Sequence, residues 1–357
     1  MNMAIQNMEI PENQQSKVHV REIDANEYDR WDAYVDSCPQ ATFFHRIGWK
    51  TVIEKAFGHE THYLVAEVDG VIQGILPLGH LRSRLFGNAL ISTPFCVYGG
   101  IAATNSHANS MLIHHAEQFA LEREVDYLEL RNQTAGSIDW PTKDLYVTFR
   151  KEIDSDPEKN LLAIPRKQRA MVRKGIKAGL TSEVDEDITR FFSAYSTSVR
   201  NLGTPVFPKR YFKTLKEVFG KDCEILTVVK NGRTVGSVFS FYFRNEVLPY
   251  YGGSTEEARR LGGNDFMYWE LMCRACERGV RVFDYGRSKK GVGSYSFKKN
   301  WGFNPTPLVY QYRLVNVKEI PNVNPLNPKY GVFVRLWKNL PLPIANTLGP
   351  ILSRNLG

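Results

Sequence analysis

The chain has 357 residues, more than twice the ~150 of a typical domain, which predicts two compact domains that each bury a core. Apolar residues at 43%, aromatic residues at 12% and charged residues at 24% disfavour a disordered, collagen-like or coiled-coil chain. The formal net charge of +8 indicates an anionic partner, which composition leaves open as a phosphate-bearing ligand, RNA or a lipid surface.

Residues 1–17 predict a flexible N-terminus, since they have neither the basic start nor the apolar segment of a secretion signal. No stretch of the chain approaches the ~18 consecutive apolar residues of a membrane-spanning helix. The five cysteines are an odd number that fits reduced thiols. We therefore expect a cytoplasmic protein, located at most peripherally at the inner face of the cytoplasmic membrane.

The two halves of the chain follow the same order of elements. An Asp-Gly pair at 69–70 and an Asn-Gly pair at 231–232 each connect two apolar strands as a hairpin turn. In both halves the next apolar strand ends in Tyr-Gly-Gly, and a helix follows. A further strand then carries an arginine near its end, Arg131 or Arg287. This recurrence indicates a duplicated unit of hairpin, strand, loop, helix and strand.

The predicted fold is α/β, of the α+β type, with two tandem domains that are each a central mixed sheet flanked by helices. We place the N-terminal domain at 18–150, a linker at 151–160 (KEIDSDPEKN) and the C-terminal domain at 161–315. The remaining segment, 316–357, is rich in proline and alternates apolar with basic residues. This amphipathic tail either contacts an anionic lipid surface or packs against the body of the protein.

Common catalytic motifs are absent or incomplete. His59 and His62 lack the HExxH spacing that places two imidazoles on one helical face, and Cys273 with Cys276 forms a lone CxxC without a second ligand pair. Residues 286–292 begin like a Walker A loop but have valine where its lysine belongs. No GxSxG elbow occurs. We therefore expect no bound metal, and neither a zinc hydrolase, a P-loop NTPase nor a serine hydrolase.

The segment 161–180 (LLAIPRKQRAMVRKGIKAGL) has six basic residues and no acidic one. As a helix it places three arginines on one face, at i, i+3 and i+7, and three apolar side chains on the other. The two sets are Arg166, Arg169 and Arg173, and Val172, Ile176 and Leu180. Guanidinium groups without acidic neighbours suit bidentate capture of phosphate or carboxylate, although a solvated helix face is the alternative.

Aromatic and basic residues alternate near the end of the second half. The strand-end sequence Phe-Asp-Tyr-Gly-Arg spans 283–287, and Phe297-Lys298 precedes Trp301-Gly302. A lysine between apolar side chains is partly desolvated, which strengthens its attraction for negative charge that develops in a reaction. An aromatic core with exposed lysines is the alternative.

These segments, the basic helix and the block ATFFHRIGW at 41–49 resemble the Fem family, the FemAB-like aminoacyl and acyl transferases built from two GNAT-like domains. The resemblance covers about 20–315 and, with the proline-rich tail, looks most like the FemAB-like branch associated with exosortase/PEP-CTERM and exopolysaccharide systems. It implies two tandem GNAT-like domains, the second of them catalytic. It also implies transfer of an acyl or aminoacyl group onto an amine of a cell-envelope or exopolysaccharide precursor.

The resemblance implies roles for individual residues. Lys298 would stabilise the tetrahedral oxyanion, and Phe297 would shape its pocket. Arg169 and Arg173 would hold phosphates of the acceptor. Further residues of the substrate site are expected to be Arg166, Tyr251, Arg287 and Trp301.

An amine that attacks an ester or thioester also needs a proton acceptor. Asp284 is the carboxylate nearest to the motif, and it acts as this base or instead pairs with Arg287 or with a backbone donor. Proton transfer assisted by the substrate would need no base at all.

Arg259, Gly262 and Gly263 lie where a GNAT acyltransferase carries its R/Q-x-x-G-x-G/A pyrophosphate loop. Free backbone N–H groups at a helix start bind anions. Asn264 stands where the last small residue belongs, so a plain turn is the alternative. We expect no tightly bound cofactor and a donor co-substrate that is either acyl-CoA or aminoacyl-tRNA.

The expected partner is an anionic envelope precursor, and no DNA is expected. A non-catalytic adaptor that binds an anionic glycan precursor or RNA is the alternative function. An enzyme should bring Lys298, Arg287 and Arg169 to one pocket, whereas an adaptor could scatter them over its surface.

Overall fold

The computed structural model describes residues 17–83, 86–134, 138–321 and 331–356. The flexible segment predicted at 1–17 therefore lies outside the described residues except for Lys17. Within the described ranges, no helix is both long and apolar enough to cross a membrane. Two mixed sheets with helices packed around them make up the protein, which confirms the predicted fold class.

The two halves begin alike, with a strand and two helices followed by a run of strands. The elements of the first half are β1 (His19–Glu22), α1 (Tyr28–Ser37), α2 (Gly48–Phe57), β2 (Glu60–Val68), β3 (Val71–Ser83), β4 (Gly87–Ser92), β5 (Ala102–Ala103), α3 (Ser106–Glu122), β6 (Tyr127–Asn132) and β7 (Tyr146–Glu152). Two further helices, α4 (Pro157–Ala163) and α5 (Arg166–Lys177), connect the halves.

The second half repeats the pattern and then adds short strands, a helix and the tail. Its elements are β8 (Thr181–Asp185), α6 (Thr189–Leu202), α7 (Lys209–Phe219), β9 (Cys223–Lys230), β10 (Arg233–Phe243), β11 (Glu246–Ser254), α8 (Glu256–Leu261), α9 (Gly263–Glu277), β12 (Val282–Asp284), β13 (Ser288–Lys289), α10 (Gly293–Asn300), β14 (Pro305–Pro307), β15 (Val309–Leu314), α11 (Gly331–Lys338) and α12 (Leu342–Ser353).

Both predicted hairpin turns are present. Asp69 and Gly70, with φ of 49° and 77°, join β2 to β3, and Asn231 and Gly232, with φ of 50° and 74°, join β9 to β10. Two successive left-handed residues make a turn whose twist matches that of antiparallel strands, and Asp, Asn and Gly tolerate this conformation best.

The two sheets share one topology. The first has the order β1-β2-β3-β4-β6-β15, with β5 on β3, and the second has the order β8-β9-β10-β11-β12-β7-β13, with β14 on β7. Among the strands of the described residues, the pairs β4–β6 and β11–β12 alone are parallel, and they occupy the same place in both sheets. The duplication predicted from the sequence is therefore present in the strand order.

Each half supplies a strand to the sheet of the other half. β7 pairs with β12, and β15 pairs with β6. The predicted linker at 151–160 instead contains the end of β7 and the start of α4, because residues as far as Glu152 continue the ladder with β12. The exchange joins the two halves and brings the ends of β6 and β12 to one region.

The block at 41–49 lies in an aromatic core between the two halves. Phe43 stacks on Phe241 at a centroid distance of 4.6 Å, and Trp49 lies 5.3 Å from Phe219. All four rings are largely or fully buried. The block that carried part of the family resemblance therefore holds the two halves together.

The tail packs against the body of the protein. Ser353 Oγ in α12 donates to the carbonyl of Val206 at 3.0 Å, and His59 Nε2 donates to the carbonyl of Arg354 at 2.7 Å. Residues 322–330 of the predicted tail lie outside the described residues. Helices α11 and α12 also keep an apolar outer surface, with Val332, Leu336 and Ile351 exposed by 64–68%.

Candidate functional site

A cavity of about 460 Å³ lies where the first sheet, the start of β7 and the tail meet. Its polar lining includes Arg131 from β6, Tyr146 from β7, and Arg287 and Lys289 from the end of β12 onward. Phe333 of α11 and other apolar tail residues complete its wall. The strand exchange creates this cavity, since its lining comes from both halves of the chain.

The two arginines that mark the sequence repeat meet at this cavity. Arg131 is almost fully buried, and its Nε donates to Glu129 Oε1 at 2.7 Å. The guanidinium of Arg287 stacks over Tyr146 at 4.6 Å, and its Nη1 donates to the hydroxyl of Tyr310 at 3.2 Å. The Tyr310 ring lies 5.6 Å from the Arg131 guanidinium and 5.7 Å from that of Arg287, so it separates two like charges.

The electrostatics of the cavity favour an anion. Among the residues that the structure describes, four cationic side chains line it against one carboxylate, Glu129, which is already paired with an arginine. Burial, together with the charges of Arg287 and Lys143, lowers the pKa of Lys289 to about 8. Burial also lowers the pKa of Lys143. The positive charges in the cavity repel one another. An anionic ligand would offset this repulsion and accept hydrogen bonds from the guanidinium groups.

Lys298 holds the chain segment that carries Arg287. Its Nζ donates to the carbonyls of Tyr285 at 2.7 Å, Gly286 at 3.1 Å and Arg287 at 3.1 Å. These bonds use all three donors of the ammonium group. Burial lowers the pKa of Lys298 to about 7, and the charge of Asp284 opposes this shift. Contact of Lys298 with an oxyanion, as the sequence predicts, would require one of these bonds to be exchanged.

Both carboxylate oxygens of Asp284 accept hydrogen bonds within the protein. Its Oδ1 accepts from the backbone N–H of Gly286 at 2.7 Å, its Oδ2 accepts from the hydroxyl of Tyr98 at 3.1 Å, and Arg150 Nη1 lies 3.6 Å away. Of the alternatives left open by the sequence, the structure shows the backbone donor and not Arg287. Burial raises the pKa of Asp284, and the charge of Arg150 opposes this. The side chain is 1% exposed, which leaves it no access to a substrate amine.

The basic helix α5 forms a separate surface. Arg166 and Arg173 are exposed and Arg169 is partly exposed, and none of them has an ion pair within the described parts of the chain. The helix packs through its opposite face, where Val172 is buried as predicted, and Leu180 just after the helix is buried as well. The third residue predicted for this face, Ile176, is instead 51% exposed.

No residue of α5 lines the cavity, and Lys298 does not line it either. The prediction that an enzyme would bring Lys298, Arg287 and Arg169 to one pocket is therefore wrong, because α5 faces a different surface and Lys298 is bonded to the backbone behind Arg287.

The predicted pyrophosphate loop is the junction between α8 and α9. Gly262 has φ of 74°, and a Cβ there would lie 2.6 Å from the carbonyl oxygen of Met171 in α5. A Cβ on Gly263 would lie 2.8 Å from Val235. These glycines therefore allow close packing of the α8–α9 junction against α5 and β10, while Arg259 is exposed in the last turn of α8. Their role in binding a donor stays a prediction.

Three further predicted site residues lie in hydrophobic surroundings. Trp301 is fully buried and donates from Nε1 to Asp265 Oδ1 at 2.9 Å. The hydroxyls of Tyr251 and Tyr211 are hydrogen-bonded at 2.7 Å within an aromatic cluster. Phe297 packs beside Trp301 at 6.0 Å. Because Trp301 has no accessible surface, it supports the site from within the core instead of contacting a ligand.

Most residues of the cavity carry no signal in the sequence. Lys143 and Tyr146 belong to no motif, and Lys289 lies within the segment 286–292 that fails as a Walker A loop. Tyr146 on β7 and Tyr310 on β15 come beside Arg287 through the exchange of strands between the sheets. The repeated arginine was the usable signal, since it pointed to Arg131 as the counterpart of Arg287.

Comparisons with known proteins agree with this architecture. Residues 166–299 match the family model described as acetyltransferase (GNAT) domain, whereas no curated protein matches the chain. Among solved structures, FemX has a TM-score of 0.66 at 16% identity, over 84% of this chain and 98% of that one. The second half of the protein thus contains a GNAT-like acetyltransferase domain.

Two other solved structures are similar in fold. A tandem GNAT protein from the clavulanic acid biosynthesis pathway has a TM-score of 0.53 at 14% identity, over 85% of this chain and all of that one. The C-terminal domain of a putative lysylphosphatidylglycerol synthetase from Agrobacterium fabrum has a TM-score of 0.52 at 14% identity, over 82% of this chain and 93% of that one. At these identities the likeness concerns the fold, and it includes the tandem arrangement.

Proposed function

Because its second half contains a GNAT-like acetyltransferase domain within a tandem fold, we propose that this protein is an N-acyl or aminoacyl transferase. Its acceptor is an amine on an anionic cell-envelope or exopolysaccharide precursor of the kind used by the FemAB-like, PEP-CTERM-associated branch. The observation that carries this proposal is the cavity in which Arg131 and Arg287 converge from the two halves.

Arg287 binds the acceptor and Lys289 accepts the proton. The guanidinium group of Arg287 would hold a phosphate or carboxylate of the precursor and orient its amine, while the buried Arg131, bonded to Glu129 and to the carbonyl of Cys96, adds positive charge behind it. The amine nitrogen attacks the carbonyl carbon of the donor, the C–N bond forms and the bond to the leaving sulfur or oxygen breaks. Lys289, whose pKa of about 8 leaves a neutral fraction near neutral pH, accepts the proton released by that nitrogen. Lys298 keeps the backbone at 285–287 in place for this arrangement.

The strand geometry supports acyl-CoA as the donor. β11 runs to Ser254 but pairs with β12 only at Glu246 and Val247 within the described chain. The remaining edge of β11 leaves backbone groups that an extended, amide-containing arm can bind as an added strand. Aminoacyl-tRNA remains the second donor considered, with the exposed arginines of α5 as its phosphate contacts.

The tail suggests where the acceptor is presented. Phe333 and Leu352 line the cavity, while Val332, Leu336 and Ile351 on the same two helices are exposed by 64–68%. Apolar side chains with basic neighbours favour an anionic lipid surface. We place the protein peripherally at such a surface, with the cavity beside it.

Vesicle flotation tests the lipid contact. Wild type should float with anionic vesicles more than with neutral ones, and Leu336→Glu should lose most of this difference. Val71→Glu, at an equally apolar position that is 59% exposed on the far hairpin, is the matched control. Equal flotation of Leu336→Glu and wild type would contradict the contact.

Mass spectrometry of envelope-polysaccharide precursors tests the activity. Cells with the protein should contain a precursor heavier by one acyl or aminoacyl group than cells without it. Identical precursor masses would contradict the transferase. The unpaired arginines of α5 favour the adaptor as the second candidate, and an adaptor would change the amount of bound precursor without changing its mass.

A further inference from the structure

Two histidines and a glutamate meet on the opposite face of the first sheet from the cavity. Glu60 and His62 lie two residues apart on β2, and His80 on β3 is paired with Glu60. Residues two apart on a strand, and residues paired across strands, share a face. The His62 ring packs 4.6 Å from Phe119 of α3, whereas the neighbouring residue Leu81 lines the cavity. The sheet therefore separates this cluster from the candidate active site.

Hydrogen bonds fix which nitrogen of each imidazole carries a lone pair. His62 Nδ1 lies 2.9 Å from Glu22 Oε1 and donates to it, since a carboxylate only accepts. His80 Nε2 lies 2.7 Å from Asn88 Oδ1, which can only accept, so the tautomer that makes this hydrogen bond has its proton on Nε2 and its lone pair on Nδ1, 3.9 Å from Glu60 Oε2. The guanidinium of Arg82, whose Nε lies 3.3 Å from Nε2, can donate to that nitrogen only in the other tautomer. The lone pairs are thus on His62 Nε2 and His80 Nδ1.

His62 Nε2 lacks a hydrogen-bond partner. The residue is 8% exposed, and within the described parts of the chain this buried nitrogen makes no hydrogen bond. A buried polar atom without a partner costs free energy. In metal sites an imidazole commonly donates its other N–H to a carboxylate or an amide oxygen, as both histidines do here.

We propose that Glu60, His62 and His80 bind a divalent transition-metal ion, with Zn²⁺ as the ion that the donor set fits best. One ligand atom from each of the three residues lies within 4.8 Å of the other two. Zn²⁺ takes imidazole nitrogen and carboxylate oxygen at about 2.0–2.2 Å. The Glu60 side chain is 57% exposed, so it can close onto an ion, and solvent can supply the fourth ligand.

A cation already occupies this position. Arg82 Nη2 lies 3.3 Å from His80 Nδ1 and 3.5 Å from Glu60 Oε2, which are two of the proposed ligand atoms. The Arg82 side chain is 56% exposed and can move away. The metal would tie β2 to β3 and stabilise the first sheet without taking part in group transfer. In the sequence His62 lies three residues from His59, whereas in the structure its neighbour is His80 on the adjacent strand.

Calorimetric titration of chelator-treated, full-length protein with Zn²⁺ tests the site. Wild type should bind one ion per chain, and Zn²⁺ should raise its melting temperature. Glu60→Gln and His80→Ala should each weaken binding by more than the roughly 10- to 100-fold that loss of an outer partner such as Glu22 costs. Arg82→Gln should strengthen binding.

The matched control is His107→Ala, an exposed histidine outside the cluster, which should bind Zn²⁺ as wild type does. Glu60→Gln changes an exposed side chain, so its fold should persist, as circular dichroism would verify. Absence of saturable binding to wild type would overturn the proposal. Undiminished binding by both Glu60→Gln and His80→Ala, or loss of binding in His107→Ala, would overturn it as well.

Discussion

Replacing Lys298 with methionine should remove a pH dependence of stability. Burial lowers the pKa of Lys298 to about 7 in the folded protein, whereas a lysine in the unfolded chain has a pKa of about 10.4. Between pH 7 and pH 9 the unfolded state binds more protons than the folded state, so the folded protein gains stability as the pH rises. The proton difference grows from about one half to nearly one, which integrates to about 2 kcal/mol at about 1.36 kcal/mol per pH unit.

Urea unfolding at both pH values measures this effect. The stability of wild type should rise from pH 7 to pH 9 by about 2 kcal/mol more than that of Lys298→Met. Lys299→Met, which changes the exposed neighbour in α10, should respond like wild type. An equal pH response of wild type and Lys298→Met would show that the three carbonyls around Nζ keep the ammonium charged, and would refute the reasoning.

Three further predictions concern the cavity and the packing around it. Wild-type kcat/KM should rise about tenfold from pH 7 to pH 9 as Lys289, with its pKa of about 8, loses its proton. Lys289→Met should abolish this rise, whereas the control Lys290→Met should keep it. An unchanged rise in both variants would exclude Lys289 as the base. Gly262→Ala should lower the free energy of unfolding, measured with denaturant, more than Gly279→Ala does. Both glycines have φ near 74°, but of the two only Gly262 has a backbone atom within 4 Å of the position that a Cβ would take. Equal losses of unfolding free energy would contradict the packing role of Gly262. Asp284→Asn should lower the free energy of unfolding by about 1–3 kcal/mol, because the new amide NH2 would face either the Gly286 N–H or the Tyr98 hydroxyl and leave a buried donor without an acceptor. An unchanged free energy of unfolding would contradict this role of the two carboxylate oxygens.

Much of the fold was predictable because it depends on local sequence. The turns at 69–70 and 231–232 follow from residues that tolerate positive φ, and the repeat follows from the order of such signals. The exchange of β7 and β15 was not predictable, because a strand's own residues do not specify which distant strand it pairs with. The boundary at 150 consequently divides β7.

The candidate site was predictable only in part. Arg287 and its counterpart Arg131 stand out as repeat landmarks, and both line the cavity. Lys298 was singled out for its motif, yet its three donors are bonded to the backbone. Lys289 is one residue of a lysine pair, and only burial beside Arg287 distinguishes it. Chemistry that depends on burial cannot be read from residue type.

The most direct test of the central claim uses the purified protein with an extracted pool of envelope precursors and either acyl-CoA or aminoacyl-tRNA. Mass spectrometry should show an acyl or aminoacyl increment on an amine-bearing anionic precursor with wild type and with Arg260→Gln, an exposed arginine outside the cavity. Arg287→Gln should form little of this product although it folds. Equal product formation by Arg287→Gln and wild type, or no mass increment with either donor, would contradict the account.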